Sequence, residues 1–241
     1  MGLAKEIKVA VIPATIANTF IKQMHYSHKI KVGCRLHLGA FLHNKLHGVM
    51  SFGPPMDTRK VVNLVQPTGW NDMLELNRMA FDDYLPRNSE SRCLAIAIRM
   101  IKKNAPHIKW ILSYSDATQC GDGTIYRAAG FKLTQVRQSD QIIQLPNGQR
   151  ITKLSLTVPG SNTRLQVMRM LGLTDDGSAG MKKFTDAGCI NVPGFQNRYI
   201  CVIDPKCKIV CPILPYSSIN DAGAGMYKGQ HKVVIRADGL I

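Results

Sequence analysis

Acidic residues are scarce in this sequence. Its 241 residues include 16 Asp and Glu against 31 Lys and Arg, which gives a formal net charge of +15 at pH 7. A basic surface attracts polyanions and speeds their encounter with the protein. The charge therefore indicates nucleic acid as the leading partner, with an anionic membrane, a phosphorylated cofactor or no polyanion at all as the alternatives.

Long apolar runs and closely paired cysteines are also missing. No window approaches the roughly eighteen uncharged apolar residues of a membrane span, and the N-terminal segment lacks the pattern of a secretory signal. The seven cysteines form no CxxC pair and are odd in number, which favours a reducing compartment. We expect a cytosolic protein without zinc, because Cys201, Cys207 and Cys211 have the spacing of a strand rather than of a zinc knuckle.

The apolar patterns predict alternating strands and helices. An edge strand at 5–13 is followed by an amphipathic helix at 13–26 and by a hairpin with its turn at 43–45. Residues 56–71 show no periodicity and are predicted to form an inserted loop. Further strands are predicted at 72–83, 110–116, 131–138, 141–145 and 151–158, and helices at 88–103 and 124–130. This order is typical of an α/β (α+β) fold with a mixed central sheet.

The pattern becomes less regular after residue 158. A helix is predicted at 162–173 and strands near 198–204 and 231–237. We therefore expect residues 1–158 to form a catalytic core. Residues 159–241 are expected to form a C-terminal extension of strands and a helix, packed on the core and available to contact DNA.

One short motif carries a specific resemblance. The stretch IYRAAGF at 125–131, together with the element order, resembles the GNAT acyltransferases, whose cofactor lies in a cleft where two parallel strands splay apart. In that family the tyrosine of this helix lies near the leaving thiolate of coenzyme A, so the resemblance implies that Tyr126 donates a proton there. The alternative is a tyrosine that only covers the core and keeps its hydroxyl in water.

A glycine-rich phosphate loop, the other hallmark of that family, is absent. Its place is taken by YLPRNSESR at 84–92, where a helix N-terminus and two arginines could still bind a pyrophosphate. A plain capped helix beginning at Asn88 or Ser89 is the alternative. The cofactor-binding residues that we predict here, including the end of the preceding strand, are Ala80, Phe81, Arg87, Asn88, Ser89, Ser91 and Arg92.

A narrower resemblance covers several stretches. HYS at 25–27, LELNRMAFDDYLPRNSESR at 74–92, SYSD at 113–116 and GDGTIYRAAGF at 121–131 resemble the Mom DNA-modification proteins of Mu-type phages; RYICV and PYS in the C-terminal part add weaker similarity. The resemblance implies conversion of adenine in phage DNA to its carbamoylmethyl derivative, which shields the DNA from host restriction enzymes. It also implies action in the cytoplasm of the infected bacterial host.

Acetyl transfer alone cannot produce a carbamoylmethyl group, because the atoms differ. In one route an activated glycyl ester, such as glycyl-tRNA, acylates the exocyclic amine, and the glycyl amine then attacks ring carbon 6. In the other, an acetyl group from acetyl-CoA is activated by a redox metal such as iron. The metal candidates are His25, Glu75 and Asp116, although their spacing is not diagnostic.

Seven residues are candidates for catalysis. They are Tyr126, Glu75, Asp116, Ser113, His25, Tyr26 and Ser27. Glu75 and Asp116 come from neighbouring predicted strands and could activate the amine, but either could instead be structural, Glu75 in an ion pair with Arg78 and Asp116 as a cap. Tyr26 could stack on adenine, which must be flipped out of the duplex or single-stranded to reach any such pocket.

Two other functions remain open on the sequence. The missing glycine loop is compatible with a non-catalytic DNA-binding protein on a GNAT scaffold. The GNAT resemblance is also compatible with an N-acetyltransferase that acts on a protein or a small amine. The sequence does not decide the oligomeric state.

Overall fold

The computed structural model describes residues 3–117, 121–227 and 230–231. Most of these residues belong to strands and helices. The strands are β1 (Lys8–Val11), β2 (Leu36–Leu42), β3 (Lys45–Gly53), β4 (Val65–Gln66), β5 (Met73–Phe81), β6 (Trp110–Asp116), β7 (Lys132–Gln144), β8 (Arg150–Thr152), β9 (Ile190–Val202), β10 (Lys208–Ile209), β11 (Met226–Tyr227) and β12 (Gln230–His231). The α-helices are α1 (Ala14–Met24), α2 (Ser89–Asn104), α3 (Thr124–Ala128), α4 (Lys153–Thr157), α5 (Asn162–Met170), α6 (Lys182–Asp186) and α7 (Ser218–Asp221).

Eight strands form one mixed sheet in the order β1-β2-β3-β5-β6-β9-β7-β8. The pair β5 and β6 is parallel, whereas every other neighbouring pair is antiparallel. Helix α2 is the crossover between the two parallel strands, as a βαβ connection requires. The predicted α/β fold with a mixed central sheet is confirmed.

The parallel strands separate after a short paired stretch. They pair only from Met73 to Glu75 on β5 and from Trp110 to Leu112 on β6. Beyond Glu75 the register between β3 and β5 shifts, because Leu76 faces Phe52 and Arg78 faces Ser51, which leaves Asn77 as an extra residue. Such a bulge bends its strand. β5 thus leaves β6, and the predicted splay between two parallel strands is present.

Strand β9 comes from the C-terminal part of the chain but lies inside the sheet. It pairs with β6 through Asp116 opposite Gln196 and with β7 through Val136 opposite Asn197. The division of the chain at residue 158 into a core and an extension stays a prediction, and the sheet includes strands from both segments.

Residues 145–189 connect β7 to β9 and have a small core of their own. Leu156, Met168 and Phe184 are buried in it. Arg164 is fully buried, makes a bidentate contact with Asp175, and donates a hydrogen bond of 2.7 Å to the carbonyl of Ser178. These acceptors offset the desolvation of the buried guanidinium and join α5 to the loop that contains Asp175 and Ser178.

Several predicted elements differ from the structure. The strands predicted at 131–138 and 141–145 form the single long strand β7, which is bent by two register shifts. The strand predicted at 151–158 is wrong beyond Thr152, because Lys153–Thr157 is the helix α4 that buries Leu156. The loop predicted at 56–71 contains two short 3₁₀ helices and β4, which pairs with β10. Of the strand predicted at 231–237, only His231 lies within the described residues.

No helix within the described ranges is both long enough and apolar enough to cross a bilayer.

Candidate active site

The splay exposes backbone groups of β6 toward β5. The amide of Ala117 donates a hydrogen bond of 2.8 Å to the carbonyl of Phe195 at the start of the pairing with β9. In an antiparallel pair every second residue bonds to the partner strand, so Ser115, two residues before Ala117, also bonds to β9. Tyr114 and Asp116 are the residues between, so their backbone amides and carbonyls point away from β9 and toward the β5 side. At that position β5 has already turned away, so this edge of β6 is the wall of a cleft.

Tyr126 reaches this wall. It lies on the five-residue helix α3, and its hydroxyl donates a hydrogen bond of 3.4 Å to the carbonyl of Tyr114. The residue is 9% exposed, and its ring lies 5.3 Å from the ring of Tyr199 and 5.6 Å from that of Phe131, centroid to centroid. The packed ring fixes the direction of the phenol, so the hydroxyl is aimed at the edge of the splayed strand.

Two glycines allow the backbone conformation that places Tyr126 against β6. Gly123 has a φ of 82°, and a Cβ on it would lie 2.5 Å from the ring of Tyr199. Gly130 has a φ of 88° and ends the helix, with the amide of Phe131 donating to the carbonyl of Tyr126. The motif therefore encodes a short helix pressed against β9, and the predicted glycine end of the helix is confirmed.

Glu75 is the last residue of β5 that pairs with β6. Burial raises the pKa of its carboxyl group, and hydrogen bonds from Asn77 and from the Met56 amide offset that rise only in part, with help from the charges of Lys31 and Arg78. A carboxylate with a raised pKa at the start of a cleft is suited to accept a proton.

His25 and Ser27 form a hydrogen-bonded pair after the end of α1. The Ser27 amide donates to His25 Nδ1 at 3.1 Å, and the Ser27 Oγ lies 2.8 Å from the same nitrogen. An amide can only donate, so Nδ1 is unprotonated and the neutral ring carries its proton on Nε2. Burial, with the charges of Arg78 and His28, lowers the pKa of His25 to about 4.

Arg78 connects the loop after α1 to β5. Its Nε donates to the carbonyl of Lys29 at 2.9 Å and its Nη1 donates to the carbonyl of Asn77 at 2.7 Å. Because its charge acts on both His25 and Glu75, these two predicted residues lie within one electrostatic environment. The ion pair of Glu75 with Arg78, the structural alternative for Glu75, is not among the salt bridges of the described residues.

The other predicted catalytic residues lie around the same two strands. Ser113 is fully buried opposite Tyr199, on the face of the sheet that Tyr126 covers. Asp116 ends β6 opposite Gln196. Tyr26 is 44% exposed, and its ring centroid lies 4.3 Å from that of His25.

The predicted phosphate site is the start of α2. Asn88 is the N-cap with a left-handed φ of 69°, but its side chain makes no capping hydrogen bond, and Ser89 Oγ donates to the carbonyl of Pro86 instead. Asn88 thus occupies the N-cap position that the alternative of a plain capped helix predicts, but without a side-chain capping hydrogen bond. The first-turn amides of Glu90 and Ser91 have no carbonyl partner within the helix.

The remaining predicted cofactor residues border this helix start. Ala80 and Phe81 end β5, opposite Val49 and Gly48 of β3. Arg92 Nε is buried and has no hydrogen-bond partner among the described residues. The first turn of α2 thus combines a positive helix end, unpaired amides and an unpaired guanidinium nitrogen, and these groups fit a phosphate.

The three metal candidates are not assembled into a ligand set. Within the described ranges, no group of three or more His, Cys, Asp or Glu side chains is placed to hold a metal ion. His25 Nδ1 already accepts hydrogen bonds from Ser27. The residues described therefore do not fit an iron site built from His25, Glu75 and Asp116.

Sequence reasoning missed the partners of these residues. Tyr114 and Arg198 lie opposite each other on β6 and β9, and the charges of Glu75 and Arg198 both influence the pKa of Tyr114, which burial raises. Cys34 donates to the Asn77 side chain at 3.4 Å. Only the position of β9 in the sheet brings Arg198 opposite Tyr114, and no local pattern reports that position.

Two of the solved structures to which the chain is similar are acetyltransferases. The ribosomal-protein-S18-alanine N-acetyltransferase of Escherichia coli is 11% identical with a TM-score of 0.44, covering 82% of this chain and 94% of that chain. An acetyltransferase of Bacillus subtilis in complex with CoA is 11% identical with a TM-score of 0.42, covering 82% and 97%.

The sequence comparisons are more specific. The methylcarbamoylase Mom of Escherichia phage Mu is 36% identical over 137 residues, which is 56% of this chain and 56% of that protein, so the match spans little more than half of either. The model of the Mom protein family matches residues 6–218, most of the present sequence. The chain therefore belongs to the Mom protein family.

Proposed function

We propose that this protein is a transferase that modifies DNA, converting the exocyclic amine of adenine to its carbamoylmethyl derivative and so protecting phage DNA from restriction in the cytoplasm of the infected host. The observation that carries the proposal is the splay between β5 and β6, with the Tyr126 hydroxyl aimed at its edge. Family membership and the charge of +15 support DNA as the substrate.

The acyl donor lies in the splay with its phosphate groups at the start of α2. The amides of Glu90 and Ser91, the helix dipole and the unpaired Nε of Arg92 bind the phosphates, and Arg87 adds charge beside them. The backbone edge of β6 at Tyr114 offers hydrogen bonds to the amide groups of the donor. The donor, acetyl-CoA or a glycyl donor such as glycyl-tRNA, supplies the activated acyl group.

Tyr126 protonates the leaving group of the donor. Its hydroxyl donates to the carbonyl of Tyr114 in the resting site, and the packing of its ring between Phe131 and Tyr199 holds it there. A donor that enters the splay passes this hydroxyl. General acids of this kind typically accelerate a reaction by about 10²–10⁴-fold.

Glu75 removes the proton from the attacking amine, directly or through a water molecule. Adenine N6 is a weak nucleophile because its lone pair is delocalised, so it must lose a proton as the new bond forms. The raised pKa of Glu75 makes it a stronger base than an exposed glutamate. Asp116 and Ser113 complete the wall of β6, and Tyr26 stacks on the flipped base above the neutral pair of His25 and Ser27.

The glycyl route accounts for every atom without an oxidant. Acylation of N6 forms one amide bond and releases the carrier, which takes the proton from Tyr126. The free amine of the glycyl group then attacks ring carbon 6, and the bond from that carbon to the original N6 breaks. The original nitrogen becomes the carboxamide nitrogen. Because the described residues hold no ligand set for iron, no step here uses a metal.

Isotope tracing in cells that express the protein tests this proposal. Cells are fed labelled glycine or labelled acetate, and nucleosides from their DNA are analysed by mass spectrometry. We expect a carbamoylmethyl deoxyadenosine that carries both carbons and the nitrogen of glycine. Unmodified deoxyadenosine, with folded protein present, would instead support a non-catalytic DNA-binding protein; acetyl-CoA turnover on a protein or small amine without DNA would support an N-acetyltransferase.

A further inference from the structure

A cavity of about 630 Å³ lies at the opposite end of the two parallel strands. It is bordered by the start of β5, by the last turn of α2 and by β2, where β5 and β6 are still paired; we call it the paired-end cavity. Helix α2 has 16 residues, so its two ends are about 24 Å apart. This cavity is therefore separate from the phosphate site at the other end of α2.

The floor of the paired-end cavity is apolar and one wall is aromatic. Leu38, Met73 and Ile101 form part of the floor and are buried. Trp70 lines the mouth and is 56% exposed, whereas Trp110 is fully buried. A half-exposed indole above an apolar floor is a surface on which a flat ring can stack.

The charge around the cavity is positive. Two carboxylates adjoin the lining, but both are paired: Asp57 with Arg59 at 3.2 Å, and Asp72 with Lys109 at 2.9 Å. Arg35 lines the cavity, is exposed and takes part in none of the ion pairs among the described residues. An anion that entered would meet a guanidinium whose charge is not already neutralised.

The polar groups of the lining can recognise a base edge. Asn71 and Asn104 both line the cavity, and the Asn104 amide uses one of its two N–H groups in a hydrogen bond of 2.8 Å to the carbonyl of Met100. An amide side chain presents a donor and an acceptor side by side, the arrangement that pairs with the edges of nucleobases. The end of α2 adds backbone carbonyls that accept hydrogen bonds from exocyclic amines.

We propose that the paired-end cavity binds one unstacked nucleotide of the DNA strand that carries the target adenine, with its base on Trp70 and its phosphate at Arg35. This inference rests on the proposed function for the identity of the polynucleotide. The volume lies within the range of about 300–1,000 Å³ of small-ligand pockets.

Tryptophan fluorescence tests the inference, because the sequence contains only two tryptophans. The full-length protein is titrated with a single-stranded oligodeoxynucleotide of mixed sequence. We expect quenching of the exposed indole and protection of Trp70 from acrylamide, while the emission of Trp110 remains. In Trp70→Phe the response disappears, and in Trp70→Ala the Kd rises about ten-fold or more, as base stacking predicts.

A matched pair of charge variants separates this site from the general basic field. Arg35→Gln and Arg150→Gln each remove one charge from an exposed arginine, one in the cavity and one on β8. We expect Arg35→Gln to weaken oligonucleotide binding at least three-fold more than Arg150→Gln at the same salt concentration. Equal effects would overturn the inference, because the contribution would then be that of net charge alone.

Other outcomes also decide the question. Oligonucleotide binding that leaves Trp70 emission and acrylamide access unchanged overturns the inference, and so does a dimer, detected by light scattering, that dissociates in Trp70→Ala. The acrylamide measurement on the unmodified protein needs no variant to fold. Nucleoside mass spectrometry of DNA from the same cells separates the two proposals. Modified adenine together with unchanged Trp70 fluorescence contradicts only the nucleotide site in the cavity. Quenching of Trp70 together with unmodified DNA contradicts only the proposed chemistry.

Discussion

The two ends of the parallel pair β5 and β6 differ in backbone and in chemistry. At the paired end, Met73 to Glu75 bond to Trp110 to Leu112, and side chains line a cavity. At the splayed end, the edge of β6 at Tyr114 faces a gap, and the side chains around it include a buried phenol and a carboxyl with a raised pKa. Where β5 and β6 are hydrogen-bonded to each other, their backbone groups are occupied and only side chains can contact a ligand. Where the two strands separate, backbone groups of β6 can also contact the substrate.

The largest expected effect is at Tyr126. Tyr126→Phe keeps the ring that packs on Phe131 and Tyr199 but removes the hydroxyl. We expect the initial rate of DNA modification to fall about 10²–10⁴-fold, because the leaving group loses its proton donor. The rate is measured by nucleoside mass spectrometry over time after induction.

Tyr216→Phe is the matched control for this prediction. Its hydroxyl also donates to a backbone carbonyl, that of Phe131, but does not reach β6. We expect a rate within a few-fold of the unmodified protein. Full activity in Tyr126→Phe would remove the phenol from the mechanism and with it the contrast between the two ends.

Glu75→Gln should have the next largest effect, lowering the rate about 10²-fold by removing the base.

Because the folded-state pKa of Glu75 is raised, its carboxyl stabilises the fold relative to the unfolded chain at low pH, and this contribution is lost as the pH rises through the folded-state pKa. Glu75→Gln should therefore become more stable relative to the unmodified protein as the pH rises toward neutrality. Thermal unfolding across pH measures this, and a stability difference independent of pH would contradict it.

His25 gives a smaller effect, on stability. Its folded-state pKa of about 4 lies below the ordinary value of 6.5, so the unfolded chain binds a proton first as the pH falls. The protein should lose about 2 kcal/mol of unfolding free energy between pH 7.5 and pH 5 through this residue. Urea unfolding at both pH values measures this loss of unfolding free energy. In His25→Gln the loss between the two pH values should be smaller by about 2 kcal/mol. The same pH dependence in both proteins would show that His25 is not held neutral.

The smallest effect is expected at Ser113. Its hydroxyl is fully buried and has no hydrogen-bond partner among the described residues, so it carries an uncompensated desolvation cost. Ser113→Ala should stabilise the protein by about 1 kcal/mol in urea unfolding and change the modification rate less than Glu75→Gln does. A destabilised variant would mean that the hydroxyl has a partner in solution, such as a buried water.

Local sequence patterns predicted the elements that build each wall of the cleft. Turn residues and periodicity are local signals. They predicted the hairpin with its turn at His43 and Asn44, the helix α2 and the helix before Gly130 that carries Tyr126. The splay itself entered only through the resemblance to acyltransferases. Its physical origin includes the bulge at Asn77, and nothing in the alternation of residues 72–83 marks a bulge.

Non-local pairing explains most of what the sequence did not reveal. β9 lies between β6 and β7, and this position supplies both Tyr199, which packs on Tyr126, and Arg198, which lies opposite Tyr114. The segment at 151–158 alternates like a strand, but the packing of Leu156 into a small core makes it a helix. Tertiary packing overrides weak local preference in segments this short.

Hydrogen exchange at β6 tests the central claim most directly. The protein is incubated in deuterated buffer with and without the donor that isotope tracing identifies, and exchange is followed by mass spectrometry of peptides. We predict slower exchange at Ser113 to Asp116 and in the first turn of α2, with little change at Trp110 to Leu112. Unchanged exchange at the splayed end, or protection confined to the paired end, would contradict the placement of the reaction between these strands.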